Sequence, residues 1–172
     1  MPEPVHGPAD PGKGLLAAIQ RQTGIVLKEE FVMNVRYPAV FEPEENGGFF
    51  VRFLDFDTIF TQGKTEEECL FNASEVLSGM LGLMLNDDDP IPIPSQAPPN
   101  AWCIAPDAKT QAALLVHFSR KERTVADLAR GLGTSWPAAK RLEDPSHWPS
   151  LKTLERAVAV LGKRLVLSFE DR

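Results

Sequence analysis

The residues best suited to chemistry lie in one short segment, residues 124–142, where hydroxyl groups and basic side chains follow each other closely. Gly133 separates two short helical patterns and can take the left-handed turn conformation, and Ser135 stands where it can cap the second helix. Ala129 is small enough to let the two helices approach, and the predicted core positions are Leu128, Leu132, Ala139 and Leu142. Side chains near the start of such a second helix can reach base edges and phosphates of DNA. The predicted contacts are Thr134, Ser135, Trp136, Ala138, Lys140 and Arg141. A plain helical hairpin with a solvated charged face is the alternative interpretation.

Other reactive residues do not form a convincing set. Asp55 and Asp57 could sit together at a strand end as metal ligands, but residues 65–85 offer few obvious acidic partners to complete such a site. Cys69 and Cys103 lack CxxC spacing, so we interpret both as buried thiols. His117 fits a packed position on a helix. We therefore predict no catalytic residue, no metal site and no cofactor, and hence a protein that is not an enzyme.

The charge of the chain is divided unequally between its two halves. Residues 1–106 carry 6 basic and 16 acidic side chains (net −10), whereas residues 107–172 carry 12 basic and 8 acidic side chains (net +4). A basic half in an acidic protein favours a nucleic-acid partner for that half only. Residues 1–10 do not resemble a signal peptide, and the apolar stretch at residues 69–85 is too polar for a membrane span. We expect a cytoplasmic protein with no membrane partner.

The first half has the pattern of a small sheet with one helix. Apolar residues alternate from Met33 onward, residues 44–48 have turn chemistry, and Thr65 and Glu68 have capping-box spacing. Five prolines make residues 87–99 an edge strand or a linker. The predicted elements are strands at residues 33–41, 49–56, 58–61 and 102–104, and a helix at residues 65–85.

The second half reads as four helices and a final strand. Apolar residues recur at helical spacing in four segments, and an alternating tail follows Gly162. The predicted helices cover residues 109–119, 124–132, 135–142 and 151–161, and the strand covers residues 165–169. An isolated strand needs a partner, so we expect a second subunit to supply it in a homodimer or tetramer.

Three runs in the first half resemble the HicB antitoxin domain: residues 37–41 (YPAVF), 47–53 (GGFFVRF) and 61–65 (TQGKT). The resemblance covers about residues 33–95 and implies a partial ribonuclease H-like fold without nuclease activity. Residues 124–142 and 151–165 look like the helix-turn-helix that this family commonly carries. The resemblance implies a dimer that neutralises a HicA-type ribonuclease toxin and represses the shared operon.

Residues 4–31 resemble the C-terminal end of a HicA toxin, through the runs at residues 4–6 and 14–24. Our hypothesis is that a truncated toxin gene was fused in frame, and that this tail occupies the antitoxin's own toxin-binding surface. Two positions depart from the family pattern. Residues 56–60 replace a glycine-bearing loop, and Trp136 stands where a basic or polar residue is frequent.

These observations combine into one prediction of architecture and function. The fold is α+β, with a toxin-like extension (residues 1–32), a partial ribonuclease H-like toxin-binding domain (residues 33–106), and an all-α helix-turn-helix domain with a dimerising strand (residues 107–172). The predicted function is that of an antitoxin that binds a HicA-type, mRNA-cleaving toxin and double-stranded operator DNA. The alternatives are a protein-interaction module that has lost its toxin, and a metal-dependent ribonuclease H-like nuclease that would lose activity on Asp55→Ala.

Overall fold

The computed structural model describes residues 33–169, which belong to one compact unit that begins at Met33. The proposed toxin-like tail, residues 1–32, lies outside the described residues. The elements in chain order are β1 (Tyr37–Pro43), β2 (Phe49–Phe53), β3 (Phe60–Gly63), α1 (Glu66–Asn86), β4 (Trp102–Ile104), α2 (Ala108–Arg120), α3 (Val125–Leu132), α4 (Trp136–Lys140), a 3-10 turn (Arg141–Glu143) and α5 (Leu151–Val160). This mixture of an antiparallel sheet and helices confirms the α+β class.

The four strands form one sheet in the order β3-β2-β1-β4, and every neighbouring pair is antiparallel. The predicted inward-facing residues Val35, Tyr37 and Ala39 are buried, but Pro38 of β1 is buried as well, so the burial does not alternate strictly along this strand. The hairpin turn between β1 and β2 has positive φ at Gly47 and Gly48. We predicted positive φ at Asn46 and Gly47, so the prediction is confirmed for Gly47 and wrong for Asn46. One face of the sheet packs on α1, which completes the first hydrophobic cluster.

Helix α1 begins where the sequence predicts, although its cap is only half of a capping box. The Thr65 side chain accepts a hydrogen bond from the Glu68 N–H at 3.2 Å. The Glu68 carboxylate accepts from the N–H of Lys64 at 2.9 Å, one residue before the expected donor. Among the described helices, neither α1 nor any other is long and apolar enough to cross a membrane.

A second hydrophobic cluster joins the helices of the second half. Leu128 and Ala129 of α3, Ala139 of α4 and Leu142 after it are buried together, in agreement with the core positions predicted for this segment. Helix α2 takes part in both clusters, because it contributes Leu114 to the first and its next-but-one residue, Val116, to the second. The two hydrophobic clusters therefore share one helix.

The predicted strands differ from the structure in several places. Strand β1 begins four residues later than predicted, at Tyr37, and β2 ends three residues earlier, at Phe53. The third strand is β3 at Phe60–Gly63, two residues later than predicted. Residues 87–99 contain no strand, which favours the linker interpretation. Residues 165–169 contain no strand either, since no described strand lies beside them to complete a hydrogen-bonded ladder.

The interpretation of two buried thiols is half wrong. Cys69 is buried between α1 and the sheet, whereas Cys103 is exposed. Strand β4 lies at the edge of the sheet, and its residues alternate between faces. Ile104 therefore points into the core, and Cys103 points to the opposite face, which α1 does not cover.

Two helix glycines predict opposite responses to the same substitution. At Gly131 in α3 an added Cβ would collide with the Val160 side chain of α5, whereas at Gly79 in α1 it would meet open space. We expect Gly131→Ala to destabilise the fold by about 1–3 kcal/mol through overpacking. Gly79→Ala is expected to stabilise it by about 0.5–1 kcal/mol, because alanine loses less backbone entropy in a helix.

Urea unfolding of both variants beside the parent protein measures this difference. Gly79→Ala is the matched control, since it makes the same chemical change on an exposed helix. Equal stability of the two variants would show that α3 and α5 do not approach each other at Gly131.

Candidate nucleic-acid interface

The turn between α3 and α4 is closed by a pair of backbone hydrogen bonds around Gly133. Gly133 has φ 64° and ψ 39°, the left-handed conformation predicted for it. Its N–H donates to the Arg130 carbonyl at 3.2 Å, and the Thr134 N–H donates to the Ala129 carbonyl at 3.0 Å. This pairing is the Schellman motif, which ends a helix and turns the chain within two residues. The angle between the two helices is thus set locally.

Both helices also begin at a capping side chain. Thr124 and Asp127 form a reciprocal capping box at the start of α3, with hydrogen bonds of 3.0 and 3.1 Å. The Thr124 hydroxyl also donates to the Asp127 carboxylate at 2.7 Å. This bond, followed by the bonds from the Thr124 N–H and from Arg130, lowers the pKa of Asp127 to about 2. Ser135 caps α4 by accepting from the Ala138 N–H at 3.4 Å, which confirms its predicted role.

A buried carboxylate fixes the end of α4 to α2. Glu143 lies in the 3-10 turn after α4 and is 3% exposed. Its Oε1 accepts from Arg120 Nε at 2.6 Å, and its Oε2 accepts from Arg120 Nη2 at 3.0 Å and lies 3.1 Å from His117 Nδ1. Burial alone raises the pKa of Glu143, but the bonds from His117 and Arg120 and the Arg120 charge outweigh it and lower the pKa to about 2.

The sequence did not indicate this cluster, although it predicted His117 as a packed helical residue. His117 and Arg120 lie 26 and 23 residues before Glu143 in the chain, so no local spacing connects them to it. Glu143 lies among other charged residues, and its local sequence gives no sign that its side chain is buried. Only the packing of α2 against the turn after α4 brings Glu143 to its partners.

The predicted DNA contacts fall into two groups on α4 and its preceding turn. Thr134, Ser135 and Ala138 are exposed to solvent. The other three, Trp136, Lys140 and Arg141, line one cleft of about 310 Å³ together with Leu85 and Asn86 at the end of α1. The structure therefore places all six at the surface, but it divides them between open solvent and a cleft.

Lys140, one of the predicted DNA contacts, forms an ion pair with another part of the protein. Its Nζ lies 2.9 Å from Asp88 Oδ1, and Asp88 follows the end of α1 in a left-handed conformation with φ 54°. The Lys140 side chain is 32% exposed and that of Asp88 74%, so water screens this ion pair and it contributes little to stability. Its importance is positional, because it turns the Lys140 ammonium toward α1.

The carboxylates considered as a metal site are used differently. Asp55 Oδ2 accepts a hydrogen bond from the Ser95 N–H at 3.0 Å, and Asp57 is exposed. Within residues 33–169, no three histidine, cysteine or acidic side chains are grouped so that they could hold a metal ion.

Comparison with known sequences finds relatives along most of the chain. Residues 36–110 match the family described as HicB-like antitoxin of bacterial toxin-antitoxin system. The chain is 30% identical to Antitoxin HicB 1 of Photorhabdus laumondii, over 81% of this chain and 90% of that protein. It is 35% identical to Antitoxin HicB 2 of the same organism, over 78% and 96%, and 30% identical to Antitoxin HicB of Escherichia coli K12, over 77% and 98%.

A solved structure shares a shorter segment. The chain is 34% identical to a chain of a toxin-antitoxin complex from Streptococcus pneumoniae, with a TM-score of 0.35. The match covers 37% of this chain and 46% of that one, which is less than half of its length.

Proposed function

This chain belongs to the HicB-like antitoxin family, and we propose that it neutralises a HicA-type, mRNA-cleaving toxin and represses its own operon by binding operator DNA. The alignment with Antitoxin HicB 1 covers 139 of the 172 residues. Because only 33 residues are left over, residues 34–139 lie within the alignment at whichever residue it begins. The similarity to named antitoxins therefore extends from the sheet into the α3–α4 pair. As an antitoxin of this kind, the protein would act in the cytoplasm and not as an enzyme.

The observation that carries the DNA-binding part is the exposed start of α4 in a basic half of the chain. Gly133 and Ser135 fix this start, and Glu143 fixes the opposite end of the helix to α2. In a helix-turn-helix, the second helix enters the major groove with its first residues against the base edges. We infer that Thr134 and Ser135 face the bases, and that Arg141 and a released Lys140 face the phosphates.

For the toxin-binding part, we infer that the sheet and α1 provide the surface, in a partial ribonuclease H-like fold. This part is acidic, whereas ribonucleases that bind mRNA present basic surfaces, so the charges are complementary. Co-expression of the toxin encoded beside this gene tests the inference. We expect a stable complex and restored growth; a toxin that stays active and unbound would favour an interaction module without a living partner.

We further infer a dimer built on residues 165–169. Val166 and Leu167 are more than 60% exposed and Phe169 is fully exposed, which is unusual for three apolar side chains so close together. A second copy could cover them by pairing the two segments as strands, and two copies would read the two half-sites of a palindromic operator. Sedimentation equilibrium tests this, and a monomer at micromolar concentration would contradict it.

The DNA-binding proposal is tested by fluorescence anisotropy of a labelled 30-base-pair duplex from the region just upstream of the gene. We expect binding that weakens steeply between about 50 and 200 mM salt, because basic side chains release counterions from the duplex. Excess unrelated duplex should leave most of the binding intact, since base contacts add specificity to the phosphate contacts. A folded protein that binds neither duplex at 50 mM salt would overturn the repressor function and leave toxin binding as the whole function.

A further inference from the structure

A cationic cleft lies apart from α4, between the turn that joins α2 to α3 and the end of α5. Its volume is about 620 Å³, and four of its nine lining residues are basic. These four are Arg120, Lys121, Arg123 and Lys163. Two acidic residues, Glu122 and Asp127, also line it, and the Asp127 carboxylate is already bonded to Thr124 and Arg130. The cleft thus keeps a positive balance.

The two arginines of the cleft hold its walls together. Arg120 is bonded to Glu143, as described above, and Arg123 Nη1 donates to the Val160 carbonyl at the end of α5 at 2.9 Å. Lys121 and Lys163 have no hydrogen bond or ion pair from their ammonium groups to any residue between 33 and 169. The cleft therefore has two braced cations and two available ones.

Lys121 occupies a backbone position that normally selects glycine. Its φ is 53° and its ψ −123°, and the Arg123 N–H donates to the Arg120 carbonyl at 3.0 Å across it. These values match the first central residue of a type II′ turn, where a side chain strains the backbone. Glycine would form this turn more easily, so its stability does not explain the lysine. We attribute the lysine instead to the positive charge that it brings to the rim of the cleft.

Lys163 lies on the other wall of the cleft from Lys121, and its backbone is held in place by hydrogen bonds. Gly162 ends α5 in a left-handed conformation with φ 76°, and the Lys163 N–H donates to the Val158 carbonyl at 2.8 Å. This is a second Schellman motif, so the backbone of Lys163 is held although it follows the last helix. The Lys163 side chain is only partly exposed, in contrast to that of Lys121.

We propose that this cleft binds a backbone phosphate of double-stranded DNA, as an anchoring site separate from α4 that holds the protein in register. The proposal rests on the DNA-binding function proposed above. In a helix-turn-helix the first helix crosses the DNA backbone, and the cleft adjoins the start of α3, which is that helix. Lys121 and Lys163 are the phosphate ligands, and Arg120 and Arg123 position them by fixing the two walls.

The test compares Lys121→Gly and Lys163→Gln with the parent protein, in anisotropy with the upstream duplex across a series of salt concentrations. We expect each variant to bind about fivefold more weakly at 100 mM salt, and the slope of log affinity against log salt to become shallower by about 0.9 for each lost contact. The loss should be equal for an unrelated duplex, because phosphates carry no sequence information. Lys64→Gln removes the same charge near α1 and should bind as the parent does.

Thermal unfolding separates a lost ligand from a damaged fold. Lys121→Gly should melt at the same temperature as the parent or higher, because glycine relieves the turn, and yet bind DNA more weakly. Parent-like affinity and salt slope in both variants would overturn the phosphate site while leaving the DNA-binding function in place. A parent protein that binds no duplex would overturn both.

Discussion

Replacing Glu143 with alanine is expected to lower the free energy of unfolding by about 3–5 kcal/mol, the range found when one partner of a buried ion pair is removed. The Glu143 side chain is 2% exposed and accepts two hydrogen bonds from Arg120. Its Oε2 also lies 3.1 Å from His117 Nδ1. Without this carboxylate, the Arg120 guanidinium, which is 17% exposed, keeps its charge in a poorly hydrated position. The end of α4 also loses its tie to α2.

Guanidinium unfolding followed by circular dichroism measures the loss. Glu122→Ala is the matched control, because it removes the same side chain two residues after Arg120 at an exposed position. We expect that variant to stay within about 0.5 kcal/mol of the parent. If Glu143→Ala were equally mild, the cluster would not be holding the turn after α4 in place.

The same carboxylate makes stability depend on acid pH. The pKa of Glu143 is about 2 in the folded protein, well below its ordinary value, so the folded state favours the ionised form. Its contribution is complete above about pH 4.5, and it is lost as the pH falls from there toward 2. The loss amounts to about 3 kcal/mol. Unfolding measured at pH 6 and pH 3 should therefore show a larger difference for the parent than for Glu143→Gln, which cannot ionise.

The double variant Lys140→Ala/Arg141→Ala is expected to bind operator DNA about 25-fold more weakly at 100 mM salt, because two phosphate contacts worth about fivefold each are lost. Both residues lie at the exposed end of α4, where a duplex lying along the helix would place its phosphates. Anisotropy with the upstream duplex measures the change. Lys64→Ala/Lys109→Ala removes two positive charges away from α4 and serves as the control for net charge.

Asp88 provides the opposite test of the same residues. Because Lys140 bonds to Asp88 at 2.9 Å, DNA must compete with that carboxylate for the ammonium group. We expect Asp88→Asn to bind DNA about threefold more tightly, whereas Asp87→Asn, which removes a neighbouring charge, changes affinity less. If the Lys140→Ala/Arg141→Ala variant bound DNA as well as the parent does, α4 would not be part of the DNA-binding surface.

Features that depend on neighbouring residues could be predicted from the sequence. Gly133, Ser135 and Thr65 act within a few residues of themselves, and the structure places each in its predicted role. The strand alternation in β1 and the helix starts follow from the same local rules. The resemblance to HicB antitoxins also rests on short runs, which the comparisons support along most of the chain.

Features that depend on distant residues could not be predicted. The bonds of Glu143 to Arg120 and of Lys140 to Asp88 join residues 23 and 52 positions apart, and nothing in their local sequence signals the partner. Gly131 is another case: we predicted Ala129 as the residue that lets the helices approach, whereas Gly131 is the position of α3 at which Val160 of α5 leaves no room for a side chain. Cys103 was assigned to the core because cysteine is usually buried, but an edge strand of three residues leaves it outside.

Helix α2 supplies Leu114 to one hydrophobic cluster and Val116 to the other, and this sharing has a consequence for how the protein melts. Neither cluster can lose the helix without exposing apolar side chains of the second, so their free energies of unfolding are linked. Heating should then produce one cooperative transition in calorimetry, with the calorimetric enthalpy equal to the van't Hoff enthalpy. A destabilising substitution in the sheet would therefore lower the fraction of molecules in which α3 and α4 are folded, even though it changes no residue of those two helices.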